Sequence, residues 1–130
     1  MKNTIFKIIE YLYYFSFVIL FILYLFPGSL IGYLLYGNLG HQPDLIPNPI
    51  GTSINHLISF IFLSSLAFTV RVREKKFINS FQFLLFTSIL LEMLHHLIPN
   101  RAFEYYDLLA NFLGVTFTYL LIQLILKVKK

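Results

Sequence analysis

The sequence predicts an all-α polytopic membrane protein with four transmembrane helices and a short interfacial or re-entrant segment after the first. Three observations carry this prediction. Of 130 residues, 58% are hydrophobic and only 12% are charged, whereas a soluble domain carries about 25% charged residues. The apolar residues fall in long runs of membrane-spanning length. The basic residues collect at three of the five expected connections and termini, the three that meet one side of the membrane. At this length the chain forms one compact unit, residues 1–130.

Ile5 to Phe26 is a 22-residue apolar run interrupted by Lys7, Glu10 and Ser16, and a helix of about 20 residues spans the ~30 Å hydrocarbon core. Lys2 and Lys7 resemble the basic region of a signal peptide. The run is long for such a peptide, however, and no small-x-small site follows Pro27-Gly28, so a retained anchor is expected. Ser29 to Leu39 is apolar but too short to cross, and the pyrrolidine and glycine content of His41 to Thr52 marks a loop. Ser53 to Val70 is the second expected span, ended by the basic run Arg71 to Lys76. Phe77 to Pro99 is the third and Leu108 to Leu126 the fourth, with Lys127, Lys129 and Lys130 beyond it.

With four crossings, nine of the ten Lys/Arg residues lie on one side and Arg101 alone on the other. The positive-inside rule then puts both termini in the cytoplasm, in a plasma or inner membrane. A net charge of +4 reflects these helix ends rather than a basic patch with interleaved aromatics, so nucleic acid is not an expected partner; membrane lipids are. The absence of cysteine excludes disulfides, thiolate chemistry and Cys-based zinc sites.

Charged groups inside apolar segments cost roughly 2.5–3.5 kcal/mol each at a helix centre, which makes them functional candidates. They concentrate between Glu92 and Gly114, at the extracytoplasmic end. Helical rise puts Glu92 about 10 Å below the outer boundary, His95 and His96 about 5 Å down, and His56 and Asn111 about 5–6 Å inside their own helices. Three helices thus bring polar groups to one layer. Glu92, His95 and His96 share a helix face and could ligate a divalent ion, but a di-iron bundle needs a second Glu-x-x-His that no other helix supplies, so no metal or cofactor is assigned. Asp107, Asn111, Gly114 and Thr118 share another face. Arg101 is the expected counter-charge for Glu92 or Asp107. The candidate cluster is therefore His56, Glu92, His95, Arg101, Asp107 and Asn111.

No nucleophile stands beside a base, Ser59 near His56 being a poor candidate, so the balance falls against an enzyme. The first expectation is a protein that binds, or helps modify, a polar or anionic envelope component, such as a lipid-linked or glycan-like ligand, in an outer-leaflet pocket. The alternatives are an intramembrane enzyme using Glu92 and His56 as acid and base, or an accessory subunit whose polar cluster only packs helices.

The same residues resemble the signature of the VanZ-like membrane protein family. That signature runs approximately E-x-x-Q, then P-G-R, then D-x-x-x-N-x-x-G. Here it is matched by Glu92 and His95, by Pro99-Asn100-Arg101, and by Asp107, Asn111 and Gly114. An earlier family motif, D-K-x-x-H with an aromatic four residues on, is matched at His56 and Phe60. The resemblance covers roughly residues 52–122. Two departures stand out: His95 replaces the usual glutamine, and Thr52-Ser53 replaces Asp-Lys. The resemblance implies a four-helix membrane protein of the cell envelope, in a family named for a protein associated with low-level resistance to the glycopeptide teicoplanin. It implies no particular reaction.

Overall fold

The computed structural model describes residues 2–129. The fold is all-α: α1 (Lys2–Leu25), α2 (Leu30–Tyr36), α3 (Ser53–Arg71), α4 (Phe81–Leu94) and α5 (Tyr105–Val128), with a 3-10 turn at Phe77–Asn79 before α4. Among the described residues, α1, α3 and α5 are each long and apolar enough to cross a membrane.

The third expected span, Phe77 to Pro99, is shorter than the apolar run suggested. Helix α4 has 14 residues, about 21 Å at 1.5 Å per residue. Polar side chains delay its start. The Asn79 side chain takes the Lys76 N–H and gives its own N–H to the Glu74 carbonyl, and Ser80 caps Phe83 N. Such local bonds compete with helix continuation. At the far end the chain turns at His95, and Pro99 is followed by Asn100 with φ 59°, a left-handed conformation that Asn tolerates better than most residues.

Side-chain contacts fix the helix directions. Near the start of α1, Asn3 accepts from Arg73 just past the end of α3, while Tyr24, near the end of α1, reaches His56 near the start of α3. The two helices are therefore antiparallel. Tyr13 donates to the Ile78 carbonyl and His95 meets the Tyr24 carbonyl, so α4 runs with α1. Asp107 meets Ser53 at one end and Phe68 packs on Tyr119 further along, so α5 runs with α3. The basic 71–76 segment gathers Glu10, the carboxylate that interrupts the first apolar run: Lys76 Nζ lies 2.7 Å from Glu10 Oε1 and 2.8 Å from Glu74 Oε2.

Tyr13, Phe60, Leu63, Leu84, Leu91 and Val115 are fully buried between these helices. The α3–α5 contact is closest at Gly114, where an added Cβ would stand 2.9 Å from Phe60 Cβ and 3.0 Å from the Leu57 carbonyl oxygen. The α2 segment is folded on itself in a similar way. Ser29 caps Gly32 N, and a Cβ at Gly32 would lie 1.6 Å from the His41 carbonyl oxygen.

Replacing Gly114 by Ala sets two effects against each other. Helix propensity favours Ala by about 1 kcal/mol, but overpacking costs about 1–3 kcal/mol when the obstacle is backbone. Gly114→Ala is expected to lower the thermal unfolding midpoint in a fixed detergent. A midpoint equal to or above that of the parent would contradict the close α3–α5 approach.

Candidate functional site

Four helix ends meet at one end of the bundle, and charge is sorted there by helix polarity. The ends of α3 and α5 are N-termini, which carry partial positive charge; those of α1 and α4 are C-termini and carry partial negative charge. Asp107 lies in the first turn of α5, and Glu92 Oε1 accepts the backbone N–H of Glu104, the N-cap of α5, at 3.1 Å. His95 is the C-cap of α4. Arg101 donates from Nε to the Phe26 carbonyl at 3.1 Å and from Nη2 to the Leu23 carbonyl at 2.5 Å, closing the end of α1.

That position of Arg101 differs from the sequence expectation. Among the described residues its guanidinium forms no ion pair with Glu92 or Asp107; its bonded donors go to backbone carbonyls of α1. The two carboxylates therefore depend on histidine. Glu92 and Asn111 are completely buried, with His95, His56 and Asp107 nearly so. His96 leaves the group: it is exposed and stacks on Phe103 at 4.7 Å, because α4 ends before it. The metal face imagined for Glu92, His95 and His96 is thereby broken.

The hydrogen bonds can be given a direction by counting protons. Asn111 Nδ2 donates to the Ser88 carbonyl at 3.2 Å, which leaves Oδ1 as an acceptor for the Tyr24 hydroxyl at 3.0 Å. Tyr24 has then spent its one proton. Its contact with His56 Nδ1 at 2.9 Å must be an Nδ1–H donating to the phenolic oxygen. The other ring nitrogen, Nε2, faces Asp107 Oδ2 at 3.3 Å, while Asp107 Oδ1 accepts from Ser53 Oγ at 2.5 Å. A proton shared between Nε2 and Oδ2 completes the set.

The same reasoning applies to His95. Its Nε2 lies 3.0 Å from the Tyr24 carbonyl, which can only accept, so Nε2 carries a proton. Its Nδ1 stands 3.3 Å from Glu92 Oε2, which is also 3.7 Å from His56 Nδ1. Among the described residues, Glu92 Oε2 is buried with no hydrogen-bond donor, only the two ring nitrogens near it. At the surface, repulsion from Asp107 and partial burial push the Glu104 carboxyl above its ordinary range.

These contacts correct the expectation that the chain is not an enzyme. His56, Glu92 and Asp107 each offer a ligand atom within 4.8 Å of the others, all three buried, as at metal and catalytic centres. The set could hold a divalent cation. The carboxylates, however, approach opposite nitrogens of the His56 ring, an arrangement better suited to passing protons than to closing around one ion.

His56, His95 and Asp107 line a cavity of about 230 Å³ together with Ser29, Gln42 and Arg101, while Glu92 stays behind them, fully buried. Of the residues singled out from sequence, His56, Glu92, His95, Asp107 and Asn111 meet in one network, and Arg101 borders it. Tyr24 and Ser53 belong to it as well. Nothing in the sequence separates Tyr24 from the other tyrosines, but Ser53, at i−3 from His56, lies on the same helix face. No family model matches the chain, and the curated proteins and solved structures compared with it give no match.

Tyr24→Phe is expected to leave His56 Nδ1 and Asn111 Oδ1 unpartnered, at a cost of about 1–3 kcal/mol. A cycle with Asn111→Ala checks this: the two losses should be strongly non-additive, whereas simple additivity would mean that no such bond exists.

Proposed function

We propose that this protein is an intramembrane acid–base enzyme of the cell envelope, with His56 as the proton-transfer group and Asp107 and Glu92 as its carboxylate partners. The carrying observation is the orientation of His56, whose Nδ1 is held by Tyr24 and whose Nε2 meets Asp107 at the cavity wall. The His56 ring lines the cavity and its orientation is fixed, so a group bound there comes within the reach that general acid–base catalysis needs. In hydrolysis or group transfer, the proton shared by Nε2 and Asp107 passes to the leaving oxygen as its bond to the electrophilic centre breaks. Nε2 then takes the proton of the water or hydroxyl whose oxygen has bonded to that centre, and the site ends in the state in which it began. Glu92 stands behind the ring and offsets its positive charge. Binding of a polar or anionic envelope component becomes the substrate-binding half of this same site.

In this reading the chain crosses the membrane four times, with α4 as the short crossing, both termini in the cytoplasm and the cavity outside. The Lys/Arg distribution and the clustering of Glu10 with Lys76 at the opposite end support that orientation. Membership in the VanZ-like family is part of the proposal and has two structural supports. Asn100, where that family has glycine, adopts the left-handed backbone that glycine reaches freely. Ser53, where it has lysine, bonds to Asp107, the residue a lysine there would pair with. A role in glycopeptide (teicoplanin) resistance would follow from the family and the envelope setting.

The test compares cells producing the parent protein, His56→Ala and Asp107→Asn at equal membrane levels, reading extracted lipids and envelope precursors by mass spectrometry. The parent should convert one class of molecule. Both variants should lose that conversion by about a hundredfold or more, the lower bound for a positioned acid–base group. Added imidazole should partly restore His56→Ala. Identical profiles for parent and variants would overturn the enzyme reading and leave the cluster as a packing device. Activity lost on metal chelation would instead assign the same three side chains to a metal.

A further inference from the structure

A second, smaller space adjoins the polar cavity. It has a volume of about 70 Å³ and lies between α1 and α3, beneath α2, with Leu20, Leu23, Leu30, Ile31, Leu45 and Ser59 among its walls. Neither α4 nor α5 contributes to it. It is therefore a slot on the flank of the bundle, whereas the polar cavity opens at the end. Leu20 lies six residues before Phe26, so the slot descends about 9 Å along α1 at helical rise.

The two spaces share four residues: Ser29, Gln42, His56 and Arg101. Their junction is thus bounded by the proposed acid–base group and by a guanidinium. Arg101 spends Nε and one Nη2 hydrogen on the α1 carbonyls, and a guanidinium has five N–H donors, so three are left for an anion. On one side of this junction the walls are mostly apolar, with Leu20, Leu23, Leu30, Ile31 and Leu45 outnumbering Asn55 and Ser59. On the other they are hydroxyl, amide, imidazole and carboxylate groups. A molecule that fills both spaces must change from apolar to polar within a few ångströms, with negative charge at the change.

We infer that the substrate is an anionic amphiphile, its first chain carbons in the slot, its phosphate or carboxylate on Arg101 and its polar head in the cavity beside His56. This rests on the reading of the site as an enzyme's. The slot has room for roughly two water volumes, so it holds only the start of the chain. The remainder leaves between α1 and α3 into the bilayer, past outward-facing Ile22 and Phe62, which are half exposed. His56 then stands at the bond between chain and head, with Glu104 among the walls that face the head.

The protein contains no tryptophan, so a single introduced indole is a clean reporter. Ile31→Trp puts it at the slot, and Leu113→Trp is a control on the exposed face of α5, which contributes nothing to the slot. Each full-length variant is reconstituted in nanodiscs of zwitterionic lipid, with chain-brominated phosphatidylglycerol or chain-brominated phosphatidylcholine added in small proportion. Ile31→Trp should be quenched by the anionic lipid about fivefold more effectively than by the zwitterionic one, the ratio expected for one basic residue at an anionic headgroup. Arg101→Gln should remove that preference and Arg101→Lys should keep it. The control should show no preference.

Millimolar inorganic phosphate should not relieve the quenching. Relief would make the junction a small-anion site and overturn the role of the chain. Equal quenching of both reporters by both lipids would overturn the proposal outright. If Arg101→Gln is poorly folded, Ile31→Trp in the parent background still decides the selectivity. The Asp107→Asn variant separates this proposal from the one it rests on. Lipid selectivity retained without turnover in any background would remove the enzyme and keep the lipid site, and turnover of a water-soluble, chainless compound would do the reverse.

Discussion

A phenol has one proton to give, and the commitment of the Tyr24 proton to Asn111 sets the chemistry of the whole polar end. Asn111 cannot rotate its amide because Ser88 offers it only a carbonyl. Tyr24 must therefore donate to Oδ1, and His56 must donate to Tyr24. One nitrogen of the ring is closed and the other is turned to Asp107 and the cavity. The line from Ser88 to His56 runs through α4, α5, α1 and α3 in turn. A shift of any helix by a residue, about 1.5 Å, would break it. Local packing such as that at Gly114 thereby becomes a condition for the tautomer of a histidine on another helix.

The polar cluster is expensive to maintain in an apolar setting, and helix polarity offsets part of that cost. Asp107 lies in the first turn of α5 and the guanidinium where α1 finishes, while Glu92, in the last turn of α4, reaches across to the N–H of Glu104 at the start of α5. The alternating directions of the helices supply both kinds of end at one level of the bundle. Removing Arg101 from the carboxylates follows from this arrangement. The unpaired carbonyls closing α1 compete for the guanidinium, and backbone geometry holds them within its reach.

Much of this could be read from residue types. The apolar runs identify α1, α3 and α5, and the rarity of charge in such a chain draws attention to His56, Glu92, Asp107 and Asn111. What could not be read involves groups that carry no distinctive letter. The partners of Arg101 are backbone carbonyls, present at every position. Tyr24 is one tyrosine among nine, and Ser53 reads as an ordinary helix start. The length of α4 was misjudged because hydropathy registers Phe77 and Leu97 but not the side-chain bonds of Asn79 and Ser80 that delay the start of the helix. The chemical reading failed for a related reason. A search for a nucleophile beside a base along the chain cannot detect a base whose partners arrive from three other helices.

The brevity of α4 has a consequence for the surrounding lipid. As a crossing of about 21 Å it falls some 9 Å short of a ~30 Å hydrocarbon core. In the four-crossing reading proposed above, Phe86 and Met93 on its outer face, more than half exposed, take acyl chains beside them, and the bilayer thins along that flank at a fraction of a kcal/mol per ångström. Thinning draws the headgroup layer and its water down toward Glu92. The protein would then settle preferentially in thin or locally deformed membrane, carrying with it a dimple through which polar molecules come nearer to the buried histidines than a flat bilayer would let them.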